Sequence, residues 1–171
     1  QYDVLPTWDD GVYVLQNYRI HQLDWGNAAD VFRLHPQRGR MPNAQYTPLV
    51  ELSFMLEKHL FGLAPGLFHL TNVLLHGLNS LLVFLFLRRL ARNAAGAWLA
   101  AAFFAVHPLH VESVAWVTER KDMLSALFYL LGLTFYLRRR DGGGTWNGWA
   151  AWLSGLAAFL SKPLAVTLPA A

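Results

Sequence analysis

His107-Pro108-Leu109-His110-Val111-Glu112-Ser113-Val114-Ala115-Trp116-Val117-Thr118-Glu119-Arg120-Lys121-Asp122 sets two histidines, two glutamates, an arginine, a lysine and an aspartate between two apolar segments. Neither residues 93–106 before it nor residues 123–137 after it carry a charged side chain. Ionisable groups crowded at the mouths of apolar helices are costly to desolvate, and such stretches usually mark a site. The plain alternative is a solvated interhelical loop whose charges face water. Pro108 suits the first turn of a helix, where its missing N–H is not needed. If a helix runs on from there, Glu112, Trp116 and Glu119 share one face, at spacings of four and three.

The apolar flanks are part of a wider bias. Hydrophobic residues make up 54% of the 171 and charged residues 15%, against about 45–50% and about 25% in soluble domains. The excess is concentrated after residue 67 and points to a membrane protein. The net charge of +3 has a local cause. Arg88, Arg89, Arg92, Arg138, Arg139 and Arg140 supply six of the fourteen lysines and arginines. Tight basic clusters between apolar spans fit membrane topology, not a nucleic-acid-binding face. Without cysteine there are no disulfides and no thiol chemistry. The sequence opens at Gln1 and ends at Ala171 inside an apolar stretch, so the expectation is a piece of a longer polytopic protein.

Residues 1–67 are polar, aromatic and rich in turn formers, and are expected to form an external loop with short interfacial helices. Trp8-Asp9-Asp10-Gly11 reads as a turn or helix start, Asp24-Trp25-Gly26-Asn27 as a turn, and residues 35–42 as an irregular loop. Residues 48–61 fit a short amphipathic helix near the interface, ended by Gly62 and Pro65. Residues 68–171 then read as a membrane helix bundle with spans at 67–87, 93–106, 123–137 and 148–160. The third is short unless the helix before it extends it. The fold class is all-α and polytopic.

Polar residues in the first span are not scattered. His69, Asn72, His76 and Asn79 follow one another at spacings of 3, 4 and 3, drawing one stripe down one helix face. Facing lipid they would be costly, so the stripe should face a protein interior or a wet cavity. Interhelical hydrogen bonding and direct ligand contact both remain open.

Both arginine clusters follow an odd-numbered span and therefore share one side, which the positive-inside rule makes cytoplasmic. Residues 1–67, the 107–122 connection and Lys162 then meet on the opposite, external face. There Asp9-Asp10 offers carboxylates able to act as a general base. Arg120, Lys121 and Lys162 offer cations suited to a lipid-linked phosphate. A base and a phosphate clamp beside the bilayer suggest group transfer from a lipid phosphate carrier.

Several motifs carry a resemblance. They are Tyr46-Thr47-Pro48-Leu49 with Leu52-Ser53-Phe54, Leu60-Phe61-Gly62-Leu63 with Pro65, Phe68-His69, and Asn72-Val73-Leu74-Leu75-His76 with Asn79. To these add His107-Pro108-Leu109-His110-Val111-Glu112-Ser113-Val114-Ala115-Trp116, Glu119-Arg120-Lys121-Asp122, Ser161-Lys162-Pro163 and Ala165-Val166-Thr167-Leu168-Pro169. In this order and spacing, over residues 46–170 together with Asp9-Asp10, the chain resembles the transmembrane O-mannosyltransferases with tetratricopeptide repeats and their bacterial relatives. It departs from them at Thr47, where the family pattern has arginine.

The resemblance implies a GT-C fold, whose first membrane helix and repeats are expected outside this sequence. It implies an enzyme of the bacterial inner membrane or endoplasmic reticulum membrane, with its active face external or lumenal. The sugar, mannose or similar, would pass from a polyprenyl phosphate to a hydroxyl on a protein acceptor, with inversion. The lipid-linked sugar is a co-substrate; no cofactor and no metal are expected. His107 and His110 form His-x-x-His near Glu112 but lack a third strong ligand. By the same resemblance Asp9, ahead of Asp10, is the base, and Arg120, ahead of Lys121 and Lys162, holds the donor phosphate. His107, His110, Glu112 and Glu119 are sugar or acceptor contacts, the two glutamates also being placed to pair with nearby cations.

Two other classes compete. A transporter or channel module would use the His69–Asn79 stripe as a path, but would show related halves, and no internal repeat is visible. A non-catalytic membrane scaffold has no need of Asp9-Asp10 and the Arg120 cluster on one side. The topology is testable with single cysteines in intact cells. Gly39→Cys and Ser113→Cys are expected to react with an impermeant thiol reagent while Gly143→Cys stays protected; the reverse pattern overturns the assignment.

Overall fold

The computed structural model describes Val14, residues 17–33 and residues 45–165. Asp9 and Asp10 and the loop at 35–42 lie outside the described residues. Among the described residues the regular elements are helices and none is a strand, so the fold is all-α.

A 3-10 turn at Tyr18–His21 leads to α1 (Trp25–Val31). The segment Asp24-Trp25-Gly26-Asn27 starts this helix, where the sequence suggested only a turn. Asp24 Oδ1 accepts the Asn27 N–H at 2.8 Å, satisfying a first-turn donor that has no intrahelical partner. Helix α2 (Pro48–Phe61) has proline in its first turn and stops at Gly62, whose φ of +71° suits a residue without Cβ.

Helix α3 (Pro65–Ala91), 27 residues, is long and apolar enough to cross a membrane. Arg92, in the left-handed region at φ 52°, ends it, and Asn93 caps α4 (Ala94–Val106) by accepting the Gly96 N–H at 3.1 Å. Helix α4 is apolar but only 13 residues long. Next come α5 (His110–Ala115), a 3-10 turn at Val117–Glu119, α6 (Arg120–Arg140) and α7 (Thr145–Ser161).

Residues 107–122 are thus not one helix. Trp116 is extended, with φ −89° and ψ 122°, so Glu112, Trp116 and Glu119 do not line one face. At the break the Trp116 carbonyl accepts both Asn72 Nδ2 of α3 at 3.0 Å and the Glu119 N–H at 3.2 Å, an i+3 bond where a continuing α-helix would make an i+4 one. The break lets α6 begin at Arg120 and reach 21 residues, longer than the uncharged stretch 123–137 alone.

A small apolar core joins the first part of the chain to the bundle. Val14, Ile20, Val31, Val50, Phe54, Met55, Phe68 and Val117 are all buried in one cluster. Arg120 is set into its edge, fully buried at 0% exposure. Every nitrogen of its guanidinium donates to protein. Nε bonds Asn72 Oδ1 at 3.0 Å, Nη2 the Phe68 carbonyl at 2.9 Å, and Nη1 Glu57 Oε2. The Phe54 and Phe68 rings lie 4.5 and 5.4 Å from the guanidinium carbon, a cation–π arrangement. Thr71 Oγ1 donates to the other Glu57 oxygen at 2.7 Å. One side chain of α6 therefore fastens α2 and α3.

Contacts at both ends show that α3 and α6 run parallel. Near their starts Asn72 meets Trp116, and Asn79 Nδ2 donates to the Met123 carbonyl at 3.0 Å. At their finishes Arg89 Nε meets Asp141 Oδ2 at 2.9 Å. Helix α4 returns along α3, and the His76 Nε2–H donates to the Ala105 carbonyl at 3.0 Å. Helix α7 returns along α6 and brings Lys162 to Asp122. The bundle consequently has a mixed-charge end and an arginine end. In the turn at the arginine end, a Cβ on Gly143 would sit 2.5 Å from the Arg138 carbonyl oxygen while one on Gly144 meets nothing. The protected cysteine of the topology test therefore belongs at Gly144.

Removing one partner of a buried ion pair costs about 3–5 kcal/mol because the other charge is left uncompensated. Arg120→Met is expected to lower the unfolding midpoint of the detergent-solubilised protein sharply. Adding Glu57→Gln should restore a large part of the loss. A neutral Arg120→Met would show that the pair does not hold the helices together.

Candidate functional site

The mixed-charge end assembles side chains from α3, α5, α6 and α7. At the start of α6, Lys121 Nζ lies 3.0 Å from Glu119 Oε1, and Lys162, just past α7, pairs with Asp122. All four side chains are partly open to solvent, from 16% for Glu119 to 28% for Asp122. Burial raises the Glu119 carboxyl above its ordinary pKa; Lys121 opposes that rise and Asp122 adds to it. Two carboxyls and two ammonium groups in reach of solvent can hold an anionic group and store or release a proton.

Beside them the histidines form a second group with α3. The His110 ring lies 5.3 Å from the His76 ring, 6.0 Å from His107 and 4.3 Å from Phe104, centre to centre. Phe103 meets His107 edge-on at 4.8 Å. Burial, then repulsion from His76 and His107, lowers the pKa of His110, which favours its neutral imidazole. The His107 Nδ1 accepts the Leu109 N–H at 3.2 Å, which fixes that ring against its own loop. Among the described residues no three His, Asp or Glu groups are arranged to hold a metal ion.

The expected site residues thus divide. Lys121, Lys162, Glu119, His107 and His110 stand together at one end, and Glu112 is exposed there. Arg120, placed first on a donor phosphate by the resemblance, is enclosed, with its donors already directed to Glu57, Asn72 and Phe68. In the stripe, Asn72 and Asn79 are fully buried and Asn72, His76 and Asn79 bond carbonyls of neighbouring segments. Of the two readings of the stripe, these three residues follow interhelical hydrogen bonding. His69 is half-buried. Thr47, at the departure from the family pattern, is buried at the start of α2, where its carbonyl accepts the Val50 and Glu51 N–H groups.

Sequence reading missed Glu57 and the pairing role of Asp122. Glu57 is 63 positions from Arg120, beyond any local spacing rule. Within α2 nothing sets it apart from Glu51, a second acid of the same helix.

No family model and no solved structure matches the chain. Among curated proteins it is similar to protein O-mannosyl-transferase Tmtc1 of Drosophila melanogaster, 39% identical over 126 residues, 73% of this chain and 15% of the relative. Human protein O-mannosyl-transferase TMTC1 is 35% identical over 122 residues, 71% of this chain and 14% of that protein. Mouse protein O-mannosyl-transferase TMTC3 is 32% identical over 153 residues, 82% of this chain and 16% of that protein. The chain therefore spans about a sixth or less of the length of each of these relatives. A similarity that covers most of the chain and includes α3, the 107–122 motif and its charged end is a family relationship: the chain belongs to the protein O-mannosyl-transferase family.

Proposed function

We propose that the chain is part of a membrane glycosyltransferase that moves mannose, or a similar sugar, from a polyprenyl phosphate to a hydroxyl group on a protein. The observation that carries this reading is the half-open Lys162–Asp122 and Lys121–Glu119 group, at the end opposite the arginines, in a member of this family. Helices α3, α4, α6 and α7 are taken to lie in the membrane, with the arginine end cytoplasmic. The mixed-charge end is then external or lumenal, at the bacterial inner membrane or the endoplasmic reticulum membrane.

In this reaction a base removes the acceptor hydroxyl proton, and the oxygen attacks the anomeric carbon from the face opposite the phosphate. The carbon–oxygen bond to the phosphate breaks, and polyprenyl phosphate leaves with inversion at carbon. Asp9, ahead of Asp10, is assigned as the base. Lys162 and Lys121 are the cations for the departing phosphate, since a charge-assisted contact there strengthens as negative charge develops. Arg120 acts through structure, fixing the start of α6 on which Lys121 and Asp122 sit. His110, whose lowered pKa favours the neutral imidazole, offers a donor and an acceptor suited to sugar hydroxyls, with His107, Glu112 and Glu119.

The test uses membranes from cells expressing the complete gene product, with a polyprenyl-phosphate sugar as donor. Asp9→Asn keeps shape and removes the base, and a rate loss of about 10²–10⁴-fold is expected. Lys162→Ala is expected to raise the half-saturating donor concentration by roughly 10–100-fold, the worth of one charge-assisted contact. Normal turnover in both Asp9→Asn and Asp10→Asn would move the base to the Glu119–Asp122 pair. Unchanged donor dependence in Lys162→Ala and Lys121→Ala would remove the phosphate assignment.

A further inference from the structure

The arginine end carries a feature that sugar transfer at the other end does not use. Between α3 and α6 lies a cleft of about 240 Å³ lined by Leu85, Arg88, Arg89, Thr134 and Arg138. Six arginines gather at this end, Arg88, Arg89 and Arg92 from one turn and Arg138, Arg139 and Arg140 from the other, against the single carboxylate of Asp141. Asp141 is already engaged, at 2.9 Å from Arg89 Nε and 3.5 Å from Arg140 Nε. Arg139 donates to the Gly143 carbonyl at 2.9 Å. Among the described residues, Arg88 and Arg138 have no carboxylate partner, and each lies only over a phenylalanine of its own helix, at 5.3 and 5.6 Å.

Thr134, in the same lining, is 6% exposed, and its Oγ1 has no hydrogen-bond partner. A mid-helix threonine ordinarily bonds back to the preceding turn. Here a buried hydroxyl and two uncompensated guanidinium groups, contributed by two helices, surround one space. Arginines serving only to fix topology need to lie on one side of the membrane; they need not converge on a cleft.

The surroundings identify the ligand. Leu74, Leu78 and Leu81, each about half exposed, precede Leu85 at spacings of four, three and four, so they form one lane along α3 leading away from the arginines. Trp98 near the start of α4, and Trp146 and Trp149 at the start of α7, are exposed at this same end. Exposed tryptophans at helix ends mark the headgroup level of a bilayer. The cleft is smaller than the about 300–1,000 Å³ of drug-sized ligand pockets, and suits a headgroup whose chains lie outside. We propose that the α3–α6 cleft binds the phosphate of an anionic phospholipid, with Arg88, Arg138 and Thr134 on the phosphate and the Leu74–Leu78–Leu81 lane under an acyl chain. Arginine forks match phosphate oxygens, and a basic pocket between membrane helices is a fitting receptor for an anionic headgroup. The site is independent of the donor site and of the transferase reading.

The experiment uses the complete protein in detergent, read by its thermal unfolding midpoint as short-chain phosphatidylglycerol, short-chain phosphatidylcholine or inorganic phosphate is titrated in. A ligand that binds only the folded state raises the midpoint. Phosphatidylglycerol is expected to raise it in a saturable way, with phosphatidylcholine and phosphate well behind at equal concentration. Arg88→Gln with Arg138→Gln should shift the half-saturating phosphatidylglycerol concentration by at least about tenfold, on the strength of charge-assisted contacts, while Arg140→Gln should leave it near the starting value. Should the double variant not fold, Thr134→Val, close to isosteric, is expected to weaken the same response severalfold. Equal responses to the two lipids, full reproduction by inorganic phosphate, or an unchanged response in the cleft variants would overturn the proposal.

Discussion

A guanidinium withdrawn from water must be given acceptors for its donors and a compensating charge, or the fold cannot keep it. Arg120 meets this condition through three groups on two other helices: Glu57 on α2, and Asn72 and the Phe68 carbonyl on α3, while Arg120 itself begins α6. Aromatic faces from Phe54 and Phe68 complete the enclosure. None of these contacts is available until the helices have come together. The arginine consequently acts as a test of assembly, since any other register of α3 against α6 would strand a charge. Such a pair adds less to net stability than its geometry suggests, because desolvation offsets much of the attraction. Its larger effect is to make alternative packings expensive.

From that fixed point follow the positions of the functional groups. With Arg120 held, Lys121 and Asp122 are carried to the surface by the helical rotation of about 100° per residue. The break at Trp116 turns α5 back towards α3, so His110 meets His76 and Phe104. Lys162 then finds Asp122 because α7 returns antiparallel to α6. Buried positions thus place the exposed ones. The parallel course of α3 and α6 has a second consequence, because both helices end in arginine. Positive charge accumulates at one end, where the helix C-termini favour cations, while carboxylates, histidines and lysines mix at the other.

The separation of Arg120 from Lys121 and Lys162 is a caution in reading charged motifs. Adjacent cations in one sequence motif face opposite environments, one sealed at 0% exposure and the other at 18%. A motif kept together in sequence need not act together in space. In Glu119-Arg120-Lys121-Asp122, one member fastens the bundle and the other three form the face that meets a ligand in the proposed reaction.

By itself the sequence determined the all-α class and the approximate places of the longer helices, because these depend on local matters. The length of the uncharged stretches and the stop of the 48–61 helix at Gly62 are legible within a few residues. The stripe His69-Asn72-His76-Asn79 was legible as a face that avoids lipid, since helical spacing alone fixes which residues align. What the stripe bonds to was not, because the Trp116, Met123 and Ala105 carbonyls belong to other segments. The same limit hid Glu57 as the counter-charge of Arg120, the break at Trp116 and the convergence of Arg88 with Arg138. Each depends on residues far apart in the chain meeting in one place, and in such a place desolvation decides whether a charge is an internal tie or an open contact. That decision is made by packing, and only the tertiary structure contains it.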